Sequence, residues 1–190
     1  MTIYRFSDMS LKFNADRWGK WVSASMAWGR NDPSGVTFTR IQGFGVIDAE
    51  LYDVNASEVK NKVDEFTTVY DHINIKSYLW VIGVYEFFRM ADQKIGENSD
   101  IANEKASKAI KHCKQEFARL RMPLAKFEAS NKYANMDYDV PHLGANGEQL
   151  GWQINDNEII YYRYLSDLAL DTLNQLRLSN YEKNDLSKTS

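Results

Sequence analysis

A chain of 190 residues with 44% hydrophobic, 26% charged and 13% aromatic residues has the make-up of one globular domain. It is long enough to bury a core without disulfides or metals. Its net charge of -3 argues against a general nucleic-acid or membrane-surface protein, which is normally basic.

A single cysteine, Cys113, excludes an internal disulfide and fits a reducing compartment. The start MTIYRFSDMS lacks the basic, apolar and small-residue segments of a signal peptide, so a cytoplasmic location is expected. The most apolar run, Tyr78 to Met90, is about 13 residues, shorter than the ~18 that a bilayer-spanning helix needs.

From Asn14, a suitable N-cap, Trp18, Trp21, Val22, Ser25 and Met26 fall at helical spacing. Asn31 to Gly35 is a turn signal. Val36 to Ile41, β-branched and aromatic, reads as a short strand, and Val46 to Tyr52 as a short helix. Asn55 with Glu58 resembles a capping box, followed by Val59, Val63, Phe66, Tyr70 and Ile73 on one helical face. Residues 74–77 look like a joint, although the two helices could run on.

Lys76 to Ile95 is the expected central helix, apolar almost all round and therefore buried on nearly every side. Gly96 stands where a left-handed C-cap would end it. A further helix begins near Asp100, with Ala102, Ala106, Ala109, Ile110, Cys113, Phe117 and Leu120 on its stripe, and Pro123 marks a break or kink. Lys132 to Gly151 has no period and reads as a long loop. Trp152–Ile154 and Ile159–Tyr162 form a β-hairpin, Leu165 to Leu176 lie on the last helix, and residues 179–190 form a frayed tail. The expected architecture is mainly α, one helical domain over residues 1–178 built round the 76–95 helix with a small hairpin.

Few residues carry chemistry. Glu86 and Arg89, three apart on the apolar helix, share one side. They form either a polar pocket with Glu86 as acid, base or anchor, or an intrahelical pair on a narrow exposed seam. Lys105, Lys108, Lys111, Lys114, Arg119 and Arg121 make a basic helix face that could meet phosphates, or simply be solvated, since no phosphate loop accompanies it.

Adjacent His112 and Cys113 diverge by about 100° on a helix, and no metal-ligand spacing occurs, so neither metal nor cofactor is expected. The segment Tyr138 to Gly144 sets Asp139, His142 and Tyr138 on irregular chain, where functional residues concentrate. Trp152 and Tyr161 or Tyr162 could wall such a site. Trp18, Trp21, Trp28 and Met26 make either a partner face or one end of the core.

The plan of long antiparallel helices over residues 56–122 resembles the HEPN class of helical bundles, many of them RNA-cleaving toxins. That class carries an Arg followed four to six residues later by His. His72, His112 and His142 lack that Arg, and Lys105 stands seven residues before His112.

Three functions follow as expectations. The first is a non-enzymatic helical protein-interaction module that self-associates, by symmetry preference as a dimer. The second is a hydrolase or nuclease whose site assembles Glu86, Arg89, Asp139 and His142. The third is a small regulator or inhibitor of another protein.

Overall fold

The computed structural model describes residues 12–29, 35–54, 66–98, 101–146 and 149–187. Among them are five α-helices, α1 (Ala15–Gly29), α2 (Val36–Leu51), α3 (Phe66–Glu97), α4 (Glu104–Lys126) and α5 (Tyr162–Ser187). A 3-10 turn at Asn131–Tyr133 leads to three strands, β1 (His142–Asn146), β2 (Gln149–Asn155) and β3 (Glu158–Tyr161). The chain is mainly helical, as its periodicity implies, with a small antiparallel sheet of order β1-β2-β3. Of the turn signal Asn31–Gly35 only Gly35 is described, and the cap at Asn55–Glu58 with Val59 and Val63 lies outside the described residues.

The helices close a ring. α1 packs on α2, α2 on α3, α3 on α4, α4 on α5, and α5 returns to α1. Inside it Trp21, Trp80, Phe88, Phe117 and Tyr162 are almost wholly buried. Trp80 is their hub, 4.7 Å from Tyr162, 5.5 Å from Phe117 and 6.3 Å from Trp21 between ring centres. Such tilted and edge-on pairs add to the burial of large apolar area that holds the core.

Asn14 caps α1, its Oδ1 accepting from the Arg17 amide at 2.8 Å. Asn103 does the same for α4 through the Ala106 amide at 2.9 Å. That helix therefore starts a few residues after Asp100.

Several local expectations change. Val36–Ile41 is the first half of α2, not a strand, and the helix expected at 46–52 is its second half. Thr37, Ile41, Gly45, Asp48 and Ala49 all face inward, so tertiary burial overrides β propensity. Gly45 is required there, because a Cβ would lie 2.4 Å from that of Trp21. The joint at 74–77 is continuous helix, with the Ser77 hydroxyl donating to the Asn74 carbonyl at 3.0 Å.

Gly96 lies within α3 and has no positive φ. Pro123 is carried inside α4, which ends instead at Phe127 in the left-handed conformation. Proline removes one donor and crowds the carbonyl four residues back, and three more residues complete the helix beyond it.

The sheet needs one strand more than a hairpin. β1 rises out of the expected loop and pairs Leu143 with Trp152, which in turn faces Ile160 on β3. Leu150, Trp152 and Ile154 point into the core, while Gln149 and Gln153 point outward, the alternation of a half-buried strand. β3 passes into α5 without a linker, and α5 runs to Ser187, beyond the residue where the sequence loses its period.

α3 is less enclosed than its composition suggests. Trp80, Val81, Val84, Phe87, Phe88 and Ala91 are buried, yet Ile75 is 59% and Leu79 55% exposed. No helix among the described residues is long and apolar enough to cross a membrane.

Candidate functional site

The segment between α4 and the sheet, residues 127–141, carries Tyr138 and Asp139 and leads into His142. It has little regular structure, but Arg119 on α4 holds it. The Arg119 guanidinium donates twice to Asp137, Nε to Oδ2 at 2.7 Å and Nη2 to Oδ1 at 2.9 Å. It donates twice more to Glu158 on β3, at 2.6 and 2.8 Å. Its plane lies 4.3 Å from the Tyr133 ring centre. Asn155 Nδ2 adds a fourth tie, to Asp137 Oδ1 at 3.0 Å.

Planar, two-pronged donation of this kind fixes direction as well as distance. The side chains of Arg119 and Asp137 are only 13% and 4% exposed. The hydrogen bonds that Arg119 donates to Asp137 raise its pKa against the cost of burial. Burial acts against the charged form of Asp137, but the bonds from Arg119 and Asn155 outweigh it and lower its pKa.

Backbone and side-chain ties secure both ends. The Tyr138 amide donates to the Ile154 carbonyl at 2.7 Å, and its hydroxyl to Asp156 at 2.5 Å. Asp139 accepts from the Ala129 amide at 3.1 Å. His142 is exposed, its ring 5.9 Å from that of Tyr138.

Held in this frame, Phe127 is 71% exposed, Met136 62% and Val140 44%. Phe127 sits at φ 57, a left-handed position that costs a side-chain-bearing residue about 1–2 kcal/mol. These are large apolar side chains left in water rather than buried with the core.

The sequence-derived candidates divide accordingly. Tyr138 and His142 meet here through their rings, Asp139 accepts from the Ala129 amide, and Arg119 holds the adjoining Asp137. Trp152 lies beneath as core, 1% exposed, and Tyr161 is half-buried opposite Gly151 on the sheet.

Glu86 and Arg89 lie elsewhere, joined at 2.6 Å on the exposed seam of α3, with Arg121 reaching Glu86 at 3.4 Å. Among the described residues neither makes a hydrogen bond or ion pair with Asp139 or His142. The basic stripe of α4 is largely paired: Lys108 with Glu104, Lys114 with Asp92, Arg119 and Arg121 as above. Lys105 and Lys111 alone of the six make no ion pair among the described residues.

Cys113 is buried, and desolvation pushes its thiol far up, which withdraws it from nucleophilic use. Among the described residues no three His, Cys, Asp or Glu side chains cluster as metal ligands.

A second polar cluster escapes sequence reasoning altogether. Asp48, fully buried, accepts from Arg17 Nε at 2.7 Å, from Trp21 Nε1 at 2.6 Å and from the Ser166 hydroxyl. Arg17 also donates to Ser166 Oγ and, at 2.7 Å, to Asp167, and it lies 3.9 Å from the Tyr52 ring centre. Burial pushes the Tyr162 phenol well up, and the neighbouring Asp48 carboxylate pushes it further.

The sequence offered only two carboxylates, Asp48 and Glu50, in the otherwise apolar run from Val46 to Leu51. The missed partners of Arg119 gave none, since Asp137 and Glu158 stand 18 and 39 residues away.

Compared with protein-family models, characterised proteins and solved structures, the chain matches none.

Proposed function

We propose that the protein is a non-enzymatic helical interaction module that self-associates, and that the segment from Phe127 to Val140 is its face for a protein partner. The observation that supports this is the combination at that segment of a backbone fixed by Arg119 with three solvent-facing apolar side chains, Phe127, Met136 and Val140. Ordering a loop in advance removes part of the entropic cost of association. Exposed aromatic and methionine side chains are favoured anchors at interfaces.

The test is site-specific photo-crosslinking in extract of the native host. A photoreactive residue replacing Met136 should give a discrete protein adduct that Phe127→Asp removes while the far-ultraviolet circular dichroism is unchanged. A control probe at exposed Lys20 on α1 should give none. Equal adducts from both positions, or none from Met136, would sink the reading.

A further inference from the structure

The exposed seam of α3 carries more information than two solvent-facing apolar residues. His72, Ile75, Leu79, Ile82, Glu86 and Arg89 follow one another at steps of three, four, three, four and three. That is the spacing by which one helix offers a continuous line to another. Ile75 and Leu79 are more than half exposed, Ile82 is half-buried, and His72 and Arg89 are exposed.

α2 flanks this line without covering it. It contacts α3 through Phe44, close to Gly83, and through the Lys76–Glu50 ion pair. The middle of the seam is apolar and its ends are charged. Asp71, beside His72, lies at one end, and Arg89 at the other.

We infer that this seam is the contact between two copies of the chain, crossing antiparallel about a two-fold axis beside Leu79. The charge pattern selects both the occupant and the direction. His72 and Glu86 each stand seven residues from Leu79, and Asp71 and Arg89 eight and ten. A two-fold axis at Leu79 therefore sets Asp71 of one copy near Arg89 of its partner, and His72 near Glu86, each twice. At a rise of about 1.5 Å per residue the charged ends lie about 10–15 Å from the axis, within reach of long side chains.

A parallel pairing would stack Arg89 on Arg89 and Glu86 on Glu86, and like charges in contact are penalised. The same seam is thus complementary to itself when inverted, as an isologous interface must be. This inference rests on the self-association proposed above and adds the surface that carries it.

Sedimentation of the full chain at tens of micromolar tests it. The wild type should run as a dimer, and Leu79→Glu as a monomer. Asp71→Arg and Arg89→Asp should each weaken the dimer by about tenfold or more, since both copies then oppose like charges. An equimolar mixture of those two variants should recover the wild-type affinity, because both contacts become attractive again. Leu79→Cys should form an intermolecular disulfide under mild oxidation, the native Cys113 being buried. All variants are read beside circular dichroism, and recovery on mixing excludes misfolding as the cause of weakening.

A wild-type monomer would overturn self-association and the seam together. A dimer indifferent to all three substitutions would overturn the seam alone. Loss without recovery on mixing would overturn the antiparallel pairing.

Discussion

Two arginines are each held by more than one carboxylate, and they do opposite work. Arg17 lies among α1, α2 and α5; its inner partner Asp48 has no exposed surface and receives three hydrogen bonds, and its outer partner Asp167 is 50% exposed at its side chain. Arg119 lies near the surface and binds Asp137 and Glu158, the latter 47% exposed at its side chain. The first fixes how three helices meet. The second fixes one irregular segment against a helix and a strand. Losing the inner partner in the buried cluster strands a charge in a medium that cannot solvate it, whereas at the rim water can replace what is lost.

The largest effect should come from Asp48→Ala, which leaves the Arg17 guanidinium buried without its main partner. A loss of about 3–5 kcal/mol is expected, read as a fall in the urea midpoint. A loss below about 1 kcal/mol would mean that the cluster is wetter than its geometry shows. Replacing both partners with apolar residues, Arg17→Met with Asp48→Leu, should recover part of that loss, since no buried charge remains.

Gly45→Ala comes next, at about 1–3 kcal/mol, because the added methyl would collide with Trp21. Arg119→Ala should cost about 2 kcal/mol, but as local opening: hydrogen exchange of residues 131–139 should accelerate while the thermal midpoint barely moves. Equal acceleration across α4 would erase the distinction between the two arginines.

The rim cluster also predicts a pH dependence. Asp137 has a folded pKa below its unfolded value of about 3.9. Its contribution is therefore full above that value and is lost as pH falls through the lowered folded value. Protection of residues 131–139 should drop on acidification in the wild type, and Asp137→Asn should flatten that response. The smallest effect is expected at Lys108, whose pair with Glu104 is 75% and 82% exposed. Lys108→Ala should stay within about 0.5 kcal/mol.

The parts of the fold legible in sequence are those where local pattern and tertiary burial agree. Ala106, Ile110, Cys113, Phe117 and Leu120 repeat at helical spacing and are all buried, and Asn14 both looks like a cap and is one. Where they disagree the sequence misleads. Val36 to Ile41 carries strand-forming residues, yet the Trp21 face demands a helix with a glycine at 45. Pro123 reads as a break or kink, and it lies inside α4 with three residues left to run.

The candidate site was half legible. Tyr138, Asp139 and His142 stand out as polar residues on irregular chain. Arg119 looks like one more base on a solvated face until Asp137 and Glu158 arrive from other elements. Pairings across such separations are set by topology, which no local window records.

The direct passage from Tyr161 on β3 to Tyr162 on α5 couples sheet register to helix phase. Each residue turns a helix by about 100°, so inserting one amino acid at that junction would swing Tyr162, Leu165 and Ser166 away from the ring's interior unless the strand slipped to compensate. A slipped strand would carry Glu158 off Arg119. The junction thus behaves as a gear tooth: the buried arginine and the rim arginine share one setting, and neither can be retimed without the other.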